Sequence, residues 1–290
     1  MQVMSKTENT NASITKDNLL KLLQSISTET NLIAPIRNER LADINFLPVS
    51  DPSQICFDYD NTTTSPKEVF YPQLEKLFAF SQVSHDSIEV KDDNEEVVLF
   101  AVRSCDLKGI ELLDKFFERS FEDDYYLSKR DRSVIISVAC SELNDQCFCT
   151  STGTGPILKD GYDIQLVDTG NIYAVQVGYR KGLELYEKYQ NFFGPALDVN
   201  IERLLEEARI LKPKFDLQKV YNNLKRGKVH EELWEDIANR CQSCGLCLFL
   251  CPTCSCYTVI DRVTPWGHKP AHPRVGHLLF QRFYKDGQRS

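Results

Sequence analysis

Apolar positions recur along this chain at two periods. Leu19, Leu23 and Ile26 share one helical face behind Thr15, a residue suited to capping, so a helix is predicted near 15–27. Short strands are read at 32–36 and 54–59, and Pro66 and Pro72 punctuate the approach to a helix around 73–80. The unbroken apolar run Val97-Val-Leu-Phe-Ala-Val102 has the pattern of a strand covered on both faces, and 133–139 repeats it. A helix near 107–118 follows the first of these. Two further strands, 162–167 and 172–178, flank a turn at 168–171 and lead to a helix near 180–192. Strands and helices in alternation predict an α/β layered domain.

The pattern changes near 200. Asn200 is placed to cap a helix running to about 211, which Pro213 breaks. A second helix carries Leu217, Val220 and Leu224 and stops at Gly227. A third, from about 230, carries Leu233, Trp234 and Ile237 and runs into Cys241. The expected organisation is a disordered tail over 1–14, an α/β domain over 15–215 and a small helical domain with a tail over 216–290. The last segment holds Val275, Leu278, Leu279, Phe280, Phe283 and Tyr284 at helix-like spacing, a stripe that would dock on the α/β domain or on a partner.

Composition narrows the function. At 42% hydrophobic and 26% charged, the chain is an ordinary globular protein, neither disordered throughout nor collagen-like. A net charge of −8 excludes the basic footprint of a nucleic-acid binder. No G-x-G-x-x-G or G-x-x-x-x-G-K-[ST] occurs among its 13 glycines, so no standard phosphate loop is present. The first residues are polar, without a signal core, and the longest apolar runs fall short of the roughly 20 residues that span a bilayer. A cytoplasmic location is expected, where thiols stay reduced. The 11 cysteines, an odd number, then read as ligands or redox groups and not as a disulfide frame.

Six cysteines fall within the run Cys241-x2-Cys244-x2-Cys247-x3-Cys251-Pro252-Thr-Cys254-Ser-Cys256. Structural zinc sites usually pair cysteines across a dozen or more residues. This spacing instead wraps thiolates around the corners of an iron–sulfur cubane, with a terminal Pro as in bacterial ferredoxins. Gly245 lets the backbone turn close to the cluster, and Leu246, Leu248, Phe249 and Leu250 would keep water out. Cys254 and Cys256 stand as further ligands or as packing thiols. The alternative for the run is a zinc knuckle or a set of free thiols.

A second set lies in the α/β part. Cys140-x6-Cys147-x-Cys149 precedes Thr150-Ser-Thr-Gly-Thr-Gly-Pro156, and Cys105, like Cys140, follows a buried strand. Neighbouring parallel strands would bring Cys105 and Cys140 to one sheet edge. Three readings stay open: a metal or cluster site on Cys105, Cys140, Cys147 and Cys149; a redox thiol at Cys105, activated by a helix N-terminus; or structural cysteines. Cys56 reads as core, and His268, His272 and His277 as tail residues. No Ser-His-Asp arrangement or paired-carboxylate site is evident, so no catalytic residue is named.

The stretches Tyr71-Pro-Gln-Leu-Glu-Lys-Leu-Phe78, Leu99-Phe-Ala-Val-Arg-Ser-Cys-Asp-Leu-Lys108, Cys147-Phe-Cys-Thr-Ser-Thr-Gly-Thr-Gly-Pro156 and the run from Cys241 to Cys256 resemble one family. It comprises the iron–sulfur electron-transfer subunits related to the beta subunit of sulfhydrogenases and to the A-type subunit of anaerobic sulfite reductases. The resemblance implies a ferredoxin-like helical domain with two [4Fe-4S] clusters and electron relay between a flavin-bearing, NAD(P)H-linked partner and a catalytic partner. The residues themselves call for at least one [4Fe-4S] cluster. The expected function is therefore an iron–sulfur electron-transfer subunit of a cytosolic multi-subunit oxidoreductase, without substrate chemistry of its own. The alternatives are a redox- or oxygen-sensing iron–sulfur protein, or a metal-dependent enzyme using the Cys105/Cys140 region.

Overall fold

The computed structural model of the chain describes residues 10–41, 43–75, 77–80, 88–90, 95–120, 122–197 and 213–257. Nine strands are found among them: β1 (Thr10–Thr15), β2 (Asn31–Asn38), β3 (Asp43–Pro48), β4 (Phe78–Phe80), β5 (Ile88–Val90), β6 (Val97–Val102), β7 (Ser133–Val138), β8 (Ile164–Asp168) and β9 (Ile172–Val177). Seven form one sheet in the order β1-β9-β8-β7-β6-β2-β3. Its centre, β2-β6-β7-β8, is parallel, and its edges are antiparallel.

Alternation along the central strands builds a core on each face. Val98 and Phe100 of β6, with Ile136 and Val138 of β7, pack against Leu19, Leu22, Leu23 and Ile26 of helix α1 (Lys16–Glu29). Leu99 and Ile135 point the other way, against Leu107, Ile110, Leu113 and Phe117 of helix α2 (Ser104–Glu118) and Tyr126 of helix α3 (Asp124–Asp131). This is the α/β layering expected from the alternating pattern. Thr15 caps α1 through Asn18 N–H. Helix α4 (Cys149–Thr152) and helix α5 (Arg180–Lys188) complete this part of the chain, α5 packing on β7 and β9.

Three sequence expectations fail here. Residues 10–14 are not tail but part of β1, which adds to β9 with Ala12 and Ile14 buried. Only two apolar residues mark this edge strand, and Ser13 is buried because its hydroxyl donates to the Pro195 carbonyl at 2.7 Å. The strand read at 54–59 shrinks to one antiparallel bridge, Ile55 to Ile36 of β2, after a 3-10 turn (Pro52–Gln54), which Asp51 initiates by accepting from Ser53 N–H. The helix read around 73–80 gives way to β4, whose backbone pairs with β5 as a two-stranded antiparallel ribbon.

Beyond Pro213, Lys214 N–H donates to Ser151 Oγ at 2.8 Å and the Phe215 ring lies 6.1 Å from that of Phe148. Helices α6 (Leu217–Lys225), α7 (Glu231–Arg240) and α8 (Leu246–Leu250) follow. Asp216 caps α6, and Gly227 adopts a positive φ of 62° where the helix stops. None of the three helices buries a residue fully. The helix expected from Asn200 to about 211, the tail from Asp261 and the stripe from Val275 lie outside the described residues.

Candidate functional site

The end of β6 is irregular in a way that aims the chain. Val98 and Phe100 face one core and Leu99 the other, so Ala101 should join Leu99. It joins Val98 and Phe100 instead, and Val102 takes the opposite face. Ala101 adopts a φ of 65°, and the register with β7 shifts between Phe100 and Val102. This bulge turns the next residues toward the sheet's carboxyl edge. The Tyr59 hydroxyl donates to the Ala101 carbonyl, and the Arg103 guanidinium donates to the Tyr59 carbonyl while lying 4.2 Å from its ring centroid. Arg103 is 8% exposed, and its Nε has no hydrogen-bond partner. Arg103, the residue before α2, makes no side-chain capping bond to the first turn of the helix.

β7 is the parallel neighbour of β6, so Cys140 emerges at the same edge as Cys105. Ser104 Oγ donates to the Pro156 carbonyl at 2.6 Å, and Cys140 N–H donates to the same oxygen at 3.3 Å. The loop that carries Cys147 and Cys149 is thereby held beside the start of α2. The approach is close at Gly155: a Cβ there would lie 3.2 Å from Ser104 Cβ and 3.4 Å from Cys149 Sγ. Cys105, Cys140, Cys147 and Cys149 all line one cavity of about 1020 Å³, with Tyr59, Arg103 and, from the C-terminal segment, Leu250 and Pro252. That size suits a bound group as well as solvent.

The electrostatics of this recess oppose a free thiolate. Cys105 is exposed to the cavity, yet the surrounding walls strip water from its thiol and push it up to about 12, and Asp106, Cys140 and Cys149 add to the shift. Burial likewise raises Cys140 to about 11, against a lowering by Arg103. This runs against reading Cys105 as a thiol activated by a helix N-terminus, because desolvation is the largest influence on it and disfavours the thiolate. Asp106 is raised to about 6 by burial, with Arg103 pulling the other way.

The C-terminal cysteines sit on the same α/β body. Lys67, only 3% exposed, donates from Nζ to the carbonyls of Leu248 (3.0 Å), Cys251 (2.7 Å) and Cys254 (3.1 Å). The Tyr71 hydroxyl donates to the carbonyls of Ser255 and Cys256, both at 3.3 Å. Pro252 lies against Gly109 of α2. Burial pushes the Lys67 ammonium down, while Cys254 and Cys251 pull it back up. Ser243 and Gly245 adopt positive φ values of 53° and 74°, folding the run into turns, and Ser243 N–H faces Cys241 Sγ at 3.4 Å.

All 11 cysteines are free thiols. Among the described residues, no group of three or more His, Cys, Asp or Glu side chains is gathered closely enough to hold a metal ion. What fits an iron–sulfur cluster is the donor chemistry and the backbone around it. The run offers soft thiolates, turns made by positive-φ residues, a backbone N–H aimed at a sulfur and a buried cation beneath the loop. The four α/β cysteines offer the same donors at the edge of a cavity. Sequence reading missed Lys67, Tyr71, Tyr59 and Arg103. Only the burial of a lysine behind Pro66 identifies Lys67, and no local pattern signals that.

No family model matches the chain. The sulfhydrogenase 2 subunit beta of Pyrococcus furiosus is 29% identical over 231 residues, which cover 78% of this chain and 67% of that protein. This chain is a sequence relative of a sulfhydrogenase beta subunit. A chain of the F420-reducing [NiFe] hydrogenase complex from Methanosarcina barkeri superposes with a TM-score of 0.40 at 11% identity, covering 73% of this chain and 91% of that one. The kinship to the beta subunit of a sulfhydrogenase agrees with the resemblance read from the cysteine segments. Among the described residues no helix is long and apolar enough to cross a membrane.

Proposed function

We propose that this chain is an iron–sulfur electron-transfer subunit of a cytosolic multi-subunit oxidoreductase. It would relay electrons between a flavin-bearing, NAD(P)H-linked reductase and a catalytic subunit of the hydrogenase or sulfite-reductase kind. The observation that carries this reading is the cysteine run, seated on the α/β domain through Lys67 and Tyr71, in a relative of a sulfhydrogenase beta subunit. Cys241, Cys244, Cys247 and Cys251, with Cys254 and Cys256, would hold at least one [4Fe-4S] cluster, which supplies one-electron storage and transfer. Cys105, Cys140, Cys147 and Cys149 would hold a second metal or cluster centre. The residues of the chain bind, orient and shield these groups; none is assigned substrate chemistry.

Partners are supported by exposed apolar residues at helical spacing. Leu217, Val220, Tyr221 and Leu224 of α6, and Leu233, Trp234 and Ile237 of α7, each leave between 43% and 55% of their surface in water. Faces of this kind mark interaction sites. The cavity favours a second reading, a metal-dependent enzyme using the Cys105/Cys140 region. Native purification from anaerobic cells separates the two. A flavoprotein reductase that co-purifies and reduces the chain with NADH or NADPH supports the relay. A monomer that no reductase reduces supports the enzyme.

A further inference from the structure

Lys67 presents an unusual balance. Its ammonium is buried, its three donors are all spent on backbone carbonyls of the cysteine segment, and no carboxylate forms an ion pair with it among the described residues. The neighbouring Glu68 is half-buried and accepts from Gln73 Nε2 at 2.7 Å, not from Lys67. A buried charge without a counter-ion is costly, and proteins normally match it. Here it is held by the loop carbonyls, and the charges that act on it are those of Cys254 and Cys251, then Glu68, which forms no ion pair with it, and Cys256. The remaining contacts explain docking but not the charge: Tyr71 grips the same loop as a neutral donor, and Pro252 seats on Gly109 by shape.

We propose that Lys67 is a fixed counter-charge for the thiolate centre of the Cys241–Cys256 run, and so sets that centre's reduction potential. The inference rests on the reading of the run as cluster-binding. A cluster held by thiolates is an anion, and reduction adds one electron to it without breaking a bond. A cation fixed under the ligand loop stabilises the reduced state more than the oxidised one, because the attraction grows with the anion's charge. Burial keeps that attraction from being screened. Lys67 touches the loop and not the thiols, so it is a positioning residue. It acts through the backbone of Leu248, Cys251 and Cys254, which it holds at hydrogen-bond distance from one charge.

The test is a redox titration of the intact, anaerobically purified chain, with reduced centre counted by EPR and iron and sulfide measured on the same samples. Lys67→Met removes charge and donors, Lys67→Gln removes charge and keeps a donor, and Tyr71→Phe removes docking bonds and no charge. Both Lys67 variants should show at least a tenfold smaller ratio of reduced to oxidised centre at a fixed potential, about 59 mV for one electron. Tyr71→Phe should stay near wild type. Loss of the centre from both Lys67 variants, with wild-type circular dichroism, counts against it, because it reduces Lys67 to a structural clamp on the loop. A loaded Lys67 variant at the wild-type potential overturns it, as does an equal shift in Tyr71→Phe. A wild-type chain with no iron or sulfide instead defeats the cluster reading itself.

Discussion

Gly109 and Pro252 are in contact so close that a Cβ on the glycine would lie 2.7 Å from the Cβ of the proline. Gly109 is in the interior of α2, where glycine costs about 1 kcal/mol relative to alanine. Helix propensity alone therefore predicts that Gly109→Ala stabilises the protein. The contact predicts the reverse for the C-terminal loop, because Pro252 must shift and take Cys251 with it. Limited proteolysis should cut the 241–257 region faster in Gly109→Ala, while the melting of the α/β domain holds or rises.

The bulge at Ala101 makes a second prediction. With a φ of 65° and 2% exposure, this position tolerates a small side chain only. Ala101→Val should cost about 2–3 kcal/mol, since a β-branched residue resists that backbone and crowds the core. Ala101→Gly trades strain relief against a buried methyl and should stay within about 1 kcal/mol of wild type. Urea unfolding of the two variants checks the order.

Alkaline pH should unfold the protein through its buried tyrosines. Burial raises Tyr162 to about 12, and it raises Tyr59 and Tyr126 further. The unfolded chain releases these protons near pH 10 and the folded chain later, so stability is intact below about 10 and falls as pH rises through 12. Tyr162→Phe should lessen that fall by about 1–2 kcal/mol between pH 9 and 12, and leave pH 7 stability nearly unchanged. Denaturant midpoints across the range, followed with phenolate absorbance, measure it.

The two cysteine sets should be separable by analysis. Cys149→Ala should lower iron content and leave the signal of the C-terminal centre in place. A Cys149→Ala protein with full wild-type iron would show Cys105, Cys140, Cys147 and Cys149 to be structural thiols.

Periodicity made the centre of the fold legible. Val97–Val102 and 133–139 read as strands covered on both faces, and they are β6 and β7, the parallel pair that sets Cys105 beside Cys140. Thr15 and the Leu19, Leu23, Ile26 face likewise gave α1 its start and its buried side. Edge elements were harder. β1 carries two apolar residues among polar ones, and its pairing with β9 spans most of the chain. The aromatic segment Phe78–Phe80 has helix-compatible neighbours, and its partner β5 decides the matter. Cysteine spacing exposed the donors of the candidate site. Lys67 and Arg103 stayed hidden because their role depends on burial among residues distant in sequence.

Electron relay by this chain depends on an iron–sulfur cluster in the Cys241–Cys256 run. Its most direct test is iron, zinc and acid-labile sulfide analysis of anaerobically purified wild type and Cys244→Ala, with EPR after dithionite reduction. Wild type should be brown, with iron and sulfide in equal amounts and a reduced-cluster signal that Cys244→Ala loses. A colourless wild type with one zinc per chain, no sulfide and no EPR signal would contradict it.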